Sequence, residues 1–368
     1  MRIFTFTIAL LLTLSQGGLA QSNVSKGGKA VLIRGTYAHP KAFWDKGGKL
    51  DEYGVNAIFV HSGGVNDELI ARAKAEGCQV FAEFATLNGK GWVEQHPDAH
   101  PINEKGERAP VATWFMGACP TNRAFREARM QALRDLLTKY DIAGVWMDYL
   151  HWHAQFEDPY PVFQKTCFNA SCLDAFQKAT GIAPRGDTTE ERAKDILGHH
   201  AKAWEDWRCS VIVDWATEVR GIVKSLRPNA LLGNYQAPWR DDELGNVRRR
   251  CLGLDLDRLA KVVDVFSPMV YHGRCGMPPE WVRDYVEWFS GRVGVQTAPD
   301  KFPRLLPIVQ AHDEPRIEPE EFEKVLRYGL AGKSTGVMMF TLGSVAQDEG
   351  KMAVMKKVYN EVKAQRGR

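Results

Sequence analysis

The sequence predicts an α/β protein, a (β/α)8 TIM barrel with enlarged βα loops, and three observations carry that reading. Short apolar, β-branched runs recur eight times along the 368 residues. Helical patterns lie between them. No glycine-rich nucleotide loop follows the first run, where the chain reads RGTYAHP. Strand–helix alternation of this kind builds a parallel sheet. A doubly wound sheet built to hold a nucleotide would carry G-x-G-x-x-G or G-x-x-x-x-G-K-[ST] after a strand, and neither motif occurs. Eight units in this length leave long loops to spare within one barrel domain.

Taken in order, the chain opens with Arg2 and the apolar stretch IFTFTIALLLTL (3–14), then Gly18, Leu19 and Ala20 ahead of Gln21. A short positive region, an apolar core and small residues at −3 and −1 make a secretory signal peptide over 1–20. The apolar stretch falls short of the roughly 20 residues a membrane span needs. The expected mature chain, 21–368, is one barrel domain, exported to the periplasm or beyond, with no membrane insertion after cleavage. Its strands are read at 30–37, 55–62, 79–87, 143–150, 230–236, 262–272, 305–312 and 336–342. Its helices include 66–77, which stops on a glycine, 126–140, 202–226 and 320–332. In 126–140, Met130, Leu133, Leu136 and Leu137 form one stripe.

Composition narrows the function. Lys plus Arg is 48 against 45 acidic residues, a net charge of only +3, and the densest basic run is Arg248 to Arg250. A nucleic-acid binder concentrates basic charge on one face, so none is expected here. All seven cysteines lie beyond the signal, an odd number that leaves at least one unpaired among themselves. Cys167 and Cys172, in CFNASC, and Cys251 with Cys275 are plausible bridges in an oxidising compartment. Zinc is the sharper reading of CFNASC, but a structural zinc site wants four ligands and only two are local. Disulfides or thiols are therefore expected, and no metal or cofactor.

A barrel of this kind works at the C-terminal ends of its strands, and the residues that close the eight runs are polar and aromatic. They are Tyr37 and His39, His61, Glu83, Asp148 with His151, Trp152 and His153, then Asn234, Tyr235, Gln236 and Trp239, Tyr271 and His272, and Gln310, His312 and Asp313. Rings beside carboxylates and amides suit sugars, whose C–H faces stack while their hydroxyls take hydrogen bonds. Asp148 is the centre of this reading: it ends the apolar run GVWMDYLHW, where a charge is costly unless it sits at the mouth. Glycoside cleavage needs a second carboxylate. Glu83, among Phe81, Ala82, Phe84 and Ala85, has the setting to stay protonated as a general acid, with Asp241, Asp242, Glu243, Asp313 and Glu314 as the other candidates. His151, His153 and His312 invite a metal, yet a catalytic zinc needs three converging ligands and there is no HExxH. His199 and His200 read as solvated loop residues. No G-x-S-x-G nucleophile elbow occurs.

The stretch HPDAHPINEKGERAP followed by ACPTNRAFREARMQALRDLLTKYDIAGVWMDYLHW (118–152), with LGLDLDRLAKVVDVFSPMVYH (252–272) and LLPIVQAH, resembles the bacterial family-10-like glycosyl hydrolases over most of residues 30–345. That resemblance implies a barrel fold and a carbohydrate substrate. It also implies that Asp148 is the central carboxylate and that Asn122, Tyr149, Tyr271 and Gln310 line sugar subsites. With the strand-end reading, the expected catalytic pair is Asp148 and Glu83. The expected substrate contacts are Tyr37, His61, Trp114, Asn122, Tyr149, His151, Trp152, Asn234, Trp239, Tyr271, His272, Gln310 and His312. Two rivals stand beside a secreted glycoside hydrolase: a non-catalytic carbohydrate-binding barrel and a metal-dependent hydrolase resting on the histidines. The export reading has a direct check, because N-terminal sequencing of the secreted protein should begin at Gln21 rather than Met1.

Overall fold

The structure, a computed structural model, describes residues 32–157, 159–298 and 300–365. The expected signal peptide at 1–20 lies outside them. Eight strand positions form one closed parallel sheet: β1 (Ile33–Tyr37), β2 (Ala57–His61), β3 (Gln79–Ala85), β4 (Gly144–Asp148), β5 (Leu231–Gln236), β6 (Val265–Val270), β7 in two pieces (Arg304–Leu305 and Ile308–Gln310) and β8 (Gly336–Phe340). Each pairs in parallel with the next, and β8 pairs with β1 to close the ring. The (β/α)8 barrel is therefore the fold. The interruption in β7 falls at Pro307, which has no N–H to give the ladder. Its carbonyl still accepts from Met338 N at 2.8 Å.

Helices sheathe the barrel. The four expected ones run Asp67–Ala75, Arg123–Lys139, Ala201–Leu226 and Pro319–Tyr328, and further helices at Ala170–Thr180, Thr189–His199, Glu280–Arg292 and Glu349–Ala364 complete the ring. His199 ends the helix Thr189–His199 and His200 caps it, both beside Asp195 at 3.2 and 3.7 Å. They are helix-terminal residues and not the loop residues expected, because the capping box at Thr188 and Glu191 starts a helix just upstream.

The lumen is filled by aromatic rings. Phe59, Phe81 and Trp146 are fully buried and meet at centroid distances of 4.8 and 4.9 Å. Trp146 Nε1 donates to Ser267 Oγ at 2.9 Å across the barrel. Such large rings fit because their strand neighbours have no side chain. A Cβ on Gly233 would lie 2.1 Å from Trp146 Cε2, and one on Gly35 would lie 2.9 Å from Phe59 Cε2. The loops at the C-terminal face are long after β3 (86–122) and after β4 (149–169). These two loops carry the site.

Gly233→Ala should cost about 1–3 kcal/mol, the usual price of overpacking a filled core, and urea unfolding would measure it. An unchanged midpoint would mean that Trp146 moves aside freely.

Candidate active site

Side chains alternate along a strand, so Trp146 in the lumen places Asp148, two residues on, at the mouth. The next residue, Tyr149, has φ +53, a left-handed conformation that costs a non-glycine residue of order 1–3 kcal/mol. This turn brings the Tyr149 N–H back onto Asp148 Oδ1 at 2.8 Å. Above Asp148 opens a cavity of about 330 Å³. Tyr37, Tyr235, Met269 and Ile308 line it from the strands. Trp114 and Phe115 come from the loop after β3, and Tyr149, His151, Phe156 and Glu157 from the loop after β4. Tyr271, Arg274 and Phe340 complete the wall.

Two carboxylates line this cavity, Asp148 and Glu157. Burial, and then the charge of Glu83, push the Asp148 carboxyl well above the ordinary range. Glu157 is also raised by burial, against which the Arg274 guanidinium at 3.1 Å favours its ionised form. Arg274 in turn lies over the Trp114 ring at 5.3 Å, while its backbone N–H donates to Gln310 Oε1 at 3.0 Å. Phe115 stacks on Tyr149 with centroids 4.9 Å apart. Burial also pushes His151 down to about 4, and its Nδ1 pairs with Trp152 O at 2.7 Å.

Glu83 sits elsewhere than expected. It is 2% exposed within β3 and accepts a hydrogen bond from the Tyr37 hydroxyl, so Tyr37 and not Glu83 faces the cavity. Burial raises its carboxyl too, and the Tyr37 hydroxyl opposes that rise. It reaches Asp148 through its charge. The loop acids do not line the cavity either: Asp241 pairs with Arg292 at 2.5 Å and Asp313 with Lys351 at 2.5 Å.

Of the expected contacts, Tyr37, Trp114, Tyr149, His151 and Tyr271 line the cavity. The others do not, each for a local reason. Asn122 caps the helix Arg123–Lys139, accepting from Phe125 N at 2.9 Å and donating to Asp98 at 2.8 Å. Trp152 is fully buried behind the loop, its Nε1 on Arg208 O at 3.1 Å. Trp239 donates to Phe156 O at 3.1 Å and so props the wall from outside. Asn234 is buried in β5 on the face opposite Tyr235, donating to Met147 O at 3.1 Å. His61 is exposed and takes the Gly63 N–H at 3.1 Å. His272 is buried against Glu321 at 2.8 Å. Gln310 gathers backbone groups of the loops after β6 and β7. His312 packs edge-on to Tyr271 with centroids 5.7 Å apart, and burial pushes it down to about 4. The histidines do not converge as metal ligands. His153 spends both ring nitrogens on the loop after β3, at Gly117 N and Pro110 O, 3.1 and 2.8 Å away.

Glu157, Arg274, Phe115 and Phe156 were missed. Glu157 stands nine positions beyond Asp148 in the same loop, HWHAQFE, so weighing the acids that follow the central carboxylate would have found it. Arg274 follows Tyr271 by three, in YHGRC.

Fold and site together define a (β/α)8 barrel with an aromatic, carboxylate-bearing cavity at its C-terminal face. No protein-family model matches the chain, and no curated protein sequence matches it. Among solved structures it is similar to the PgaB (BpsB) glycoside hydrolase domain from Bordetella bronchiseptica, with TM-score 0.65 and 12% identity over 88% of this chain and 98% of that one. It is also similar to Gan42B, a GH42 β-galactosidase from G. stearothermophilus, with TM-score 0.65, 14% identity and 92% of this chain covered. The chain spans 57% of that protein's length. The catalytic domain of β-amylase from Paenibacillus polymyxa matches with TM-score 0.59 and 11% identity, over 90% of this chain and 100% of that one. At these identities the likeness is one of fold.

The electrostatics has a measurable consequence. A carboxyl raised in the folded state keeps its proton where the unfolded chain, with a pKa near 4, has released it, so its contribution to stability falls as pH rises above about 4. Asp148→Asn removes that penalty. Thermal unfolding should show the variant more stable than wild type at neutral pH, with the difference shrinking as the pH falls toward 4. A difference independent of pH would mean that Asp148 is ionised in the folded protein.

Proposed function

We propose that the protein is a glycoside hydrolase that cleaves O-glycosidic bonds of an oligo- or polysaccharide in this cavity. One observation carries the reading: Asp148 and Glu157 line a single ring-walled cavity in different electrostatic surroundings, as acid and ionised partner must. Asp148, held up by burial and by Glu83, brings the proton and delivers it to the leaving glycosidic oxygen. Its new negative charge is then met by the Tyr149 N–H. Glu157, paired with Arg274, supplies the ionised carboxylate at the anomeric carbon or its attacking water. Trp114, Phe115, Tyr149 and Phe156 offer faces for sugar C–H stacking. Glu83 acts beneath Asp148, its charge adding to burial in raising the proton affinity.

The similar barrels support a glycosidase, since all three are glycosidases by name. So does the resemblance of the fourth- and sixth-strand motifs to family-10-like glycosyl hydrolases. With the signal-peptide reading, the proposal is of an exported enzyme that meets its carbohydrate outside the cytoplasm.

A glycan panel with the purified protein would identify the substrate. Asp148→Asn should then cut turnover by at least ~100-fold, Glu157→Gln by a comparable factor and Glu83→Gln by less, with sugar binding kept. Wild-type turnover in Asp148→Asn would remove the centre of the proposal. Sugar binding without hydrolysis by the wild type would leave the non-catalytic carbohydrate-binding barrel standing.

A further inference from the structure

CFNASC supplies only two thiols, but the fold brings a third to them. Cys119 ends the long loop after β3, Cys167 ends the loop after β4, and Cys172 lies in the first turn of the helix Ala170–Thr180. All three are buried, at 0, 1 and 0% exposure. Their sulfurs lie within 4.8 Å of one another, and among the described residues this is the one such group of His, Cys, Asp or Glu side chains. Cys119 and Cys172 approach to 3.3 Å.

We infer that Cys119, Cys167 and Cys172 bind a structural thiophilic divalent cation, Zn2+ being the type case, that pins the two loops of the cavity together. Three sulfurs so close and so fully shielded from water match the thiolate corner of a tetrahedral site. A disulfide would use two and leave the third buried against it. The surroundings suit thiolates. Ile102 N–H donates to Cys167 Sγ at 3.4 Å. The Thr121 hydroxyl lies 3.3 Å from Cys119 Sγ and 3.2 Å from Cys172 Sγ, and the Ser171 hydroxyl lies 3.5 Å from Cys119 Sγ. Among the described residues no fourth Cys, His, Asp or Glu joins the three, which leaves the fourth position to a water or hydroxyl oxygen. Charge favours a divalent ion over a monovalent one. Three thiolates and Zn2+ leave one net negative charge, and the buried Arg208 guanidinium, which interacts first with Cys251 and Cys209, also interacts with Cys172 and Cys167. Binding releases the three thiol protons, so the site assembles with folding and tightens as pH rises.

Position gives the site its purpose. The loop ending at Cys119 carries Trp114 and Phe115, and the loop ending at Cys167 carries Tyr149, His151, Phe156 and Glu157. Other links join the same two loops, such as Phe168 N to Ile102 O at 2.8 Å and His153 to Gly117 and Pro110. A bound ion would hold the aromatic wall over Asp148 whatever the cavity cleaves, so this inference stands apart from the glycosidase reading.

Elemental analysis tests it, on full-length protein purified without chelator or reductant. The expected result is about one zinc per chain, lost in Cys119→Ser and in Cys172→Ser and retained in Cys209→Ser. Reloading chelated protein with Co2+ should produce an intense thiolate-to-metal absorption, and chelation should lower the thermal midpoint. If the cysteine variants fail to fold, the wild-type metal content and the alkylated mass of the unfolded chain decide alone. A metal-free wild type overturns the inference, as does a Cys119–Cys172 disulfide in that mass. So does zinc that persists in a folded Cys119→Ser. Glycosidase activity enters none of these readings, so either idea can fail without the other.

Discussion

The packing of Trp146 inside the barrel is the constraint on which the site depends. Its ring lies against Gly233 of the next strand and reaches Ser267 across the lumen. With Phe59 and Phe81 it forms a buried aromatic plug in the lumen. A filled core of this density tolerates little displacement. Because strand side chains alternate, the inward choice of Trp146 is also the inward choice of Asp148. Register then does the rest: β3 and β4 pair Ala85 with Asp148 and Glu83 with Trp146, so Glu83 lies a layer deeper, level with the aromatic plug.

That difference of one layer assigns the carboxylates their parts. A buried carboxylate without a counter-ion resists ionisation, and two close together resist it more. Glu83 has the Tyr37 hydroxyl, Asp148 has the Tyr149 N–H, and among the described residues neither has a cationic partner within hydrogen-bond reach. Glu157 has Arg274. Two acids at the mouth and one a layer beneath thus divide into a proton-holding pair and an ion-paired single, which is the asymmetry acid–base chemistry uses.

The loops that complete the cavity are held by polar links more than by strand pairing. Gln310 binds the backbone of Arg274 and of Pro315, Trp239 binds Phe156 O, and His153 spans two loops. Residues that look like sugar ligands in a sequence are, in several cases, the fasteners of the loops that carry the actual wall. Polar side chains buried near a mouth must satisfy their hydrogen bonds, and backbone groups of irregular loops are the partners at hand.

Local patterning determined the barrel. Eight apolar runs, their order and their C-terminal polar residues are properties of short segments, and strand alternation alone put Asp148 at the mouth. The interruption at Pro307 and the left-handed Tyr149 were not read from the segment, although the first follows from a missing N–H. What the chain by itself could not decide was which residues from distant segments meet. Asn122, Trp152, Trp239 and His272 have the right chemistry for a substrate and the wrong surroundings, because a helix cap, a buried backbone carbonyl, a neighbouring loop or Glu321 claims each one first. Glu157 and Arg274 form their pair across 117 residues of chain, and Cys119 meets Cys172 across 53. Such pairings are set by strand register and loop closure acting together, and no window of sequence contains them.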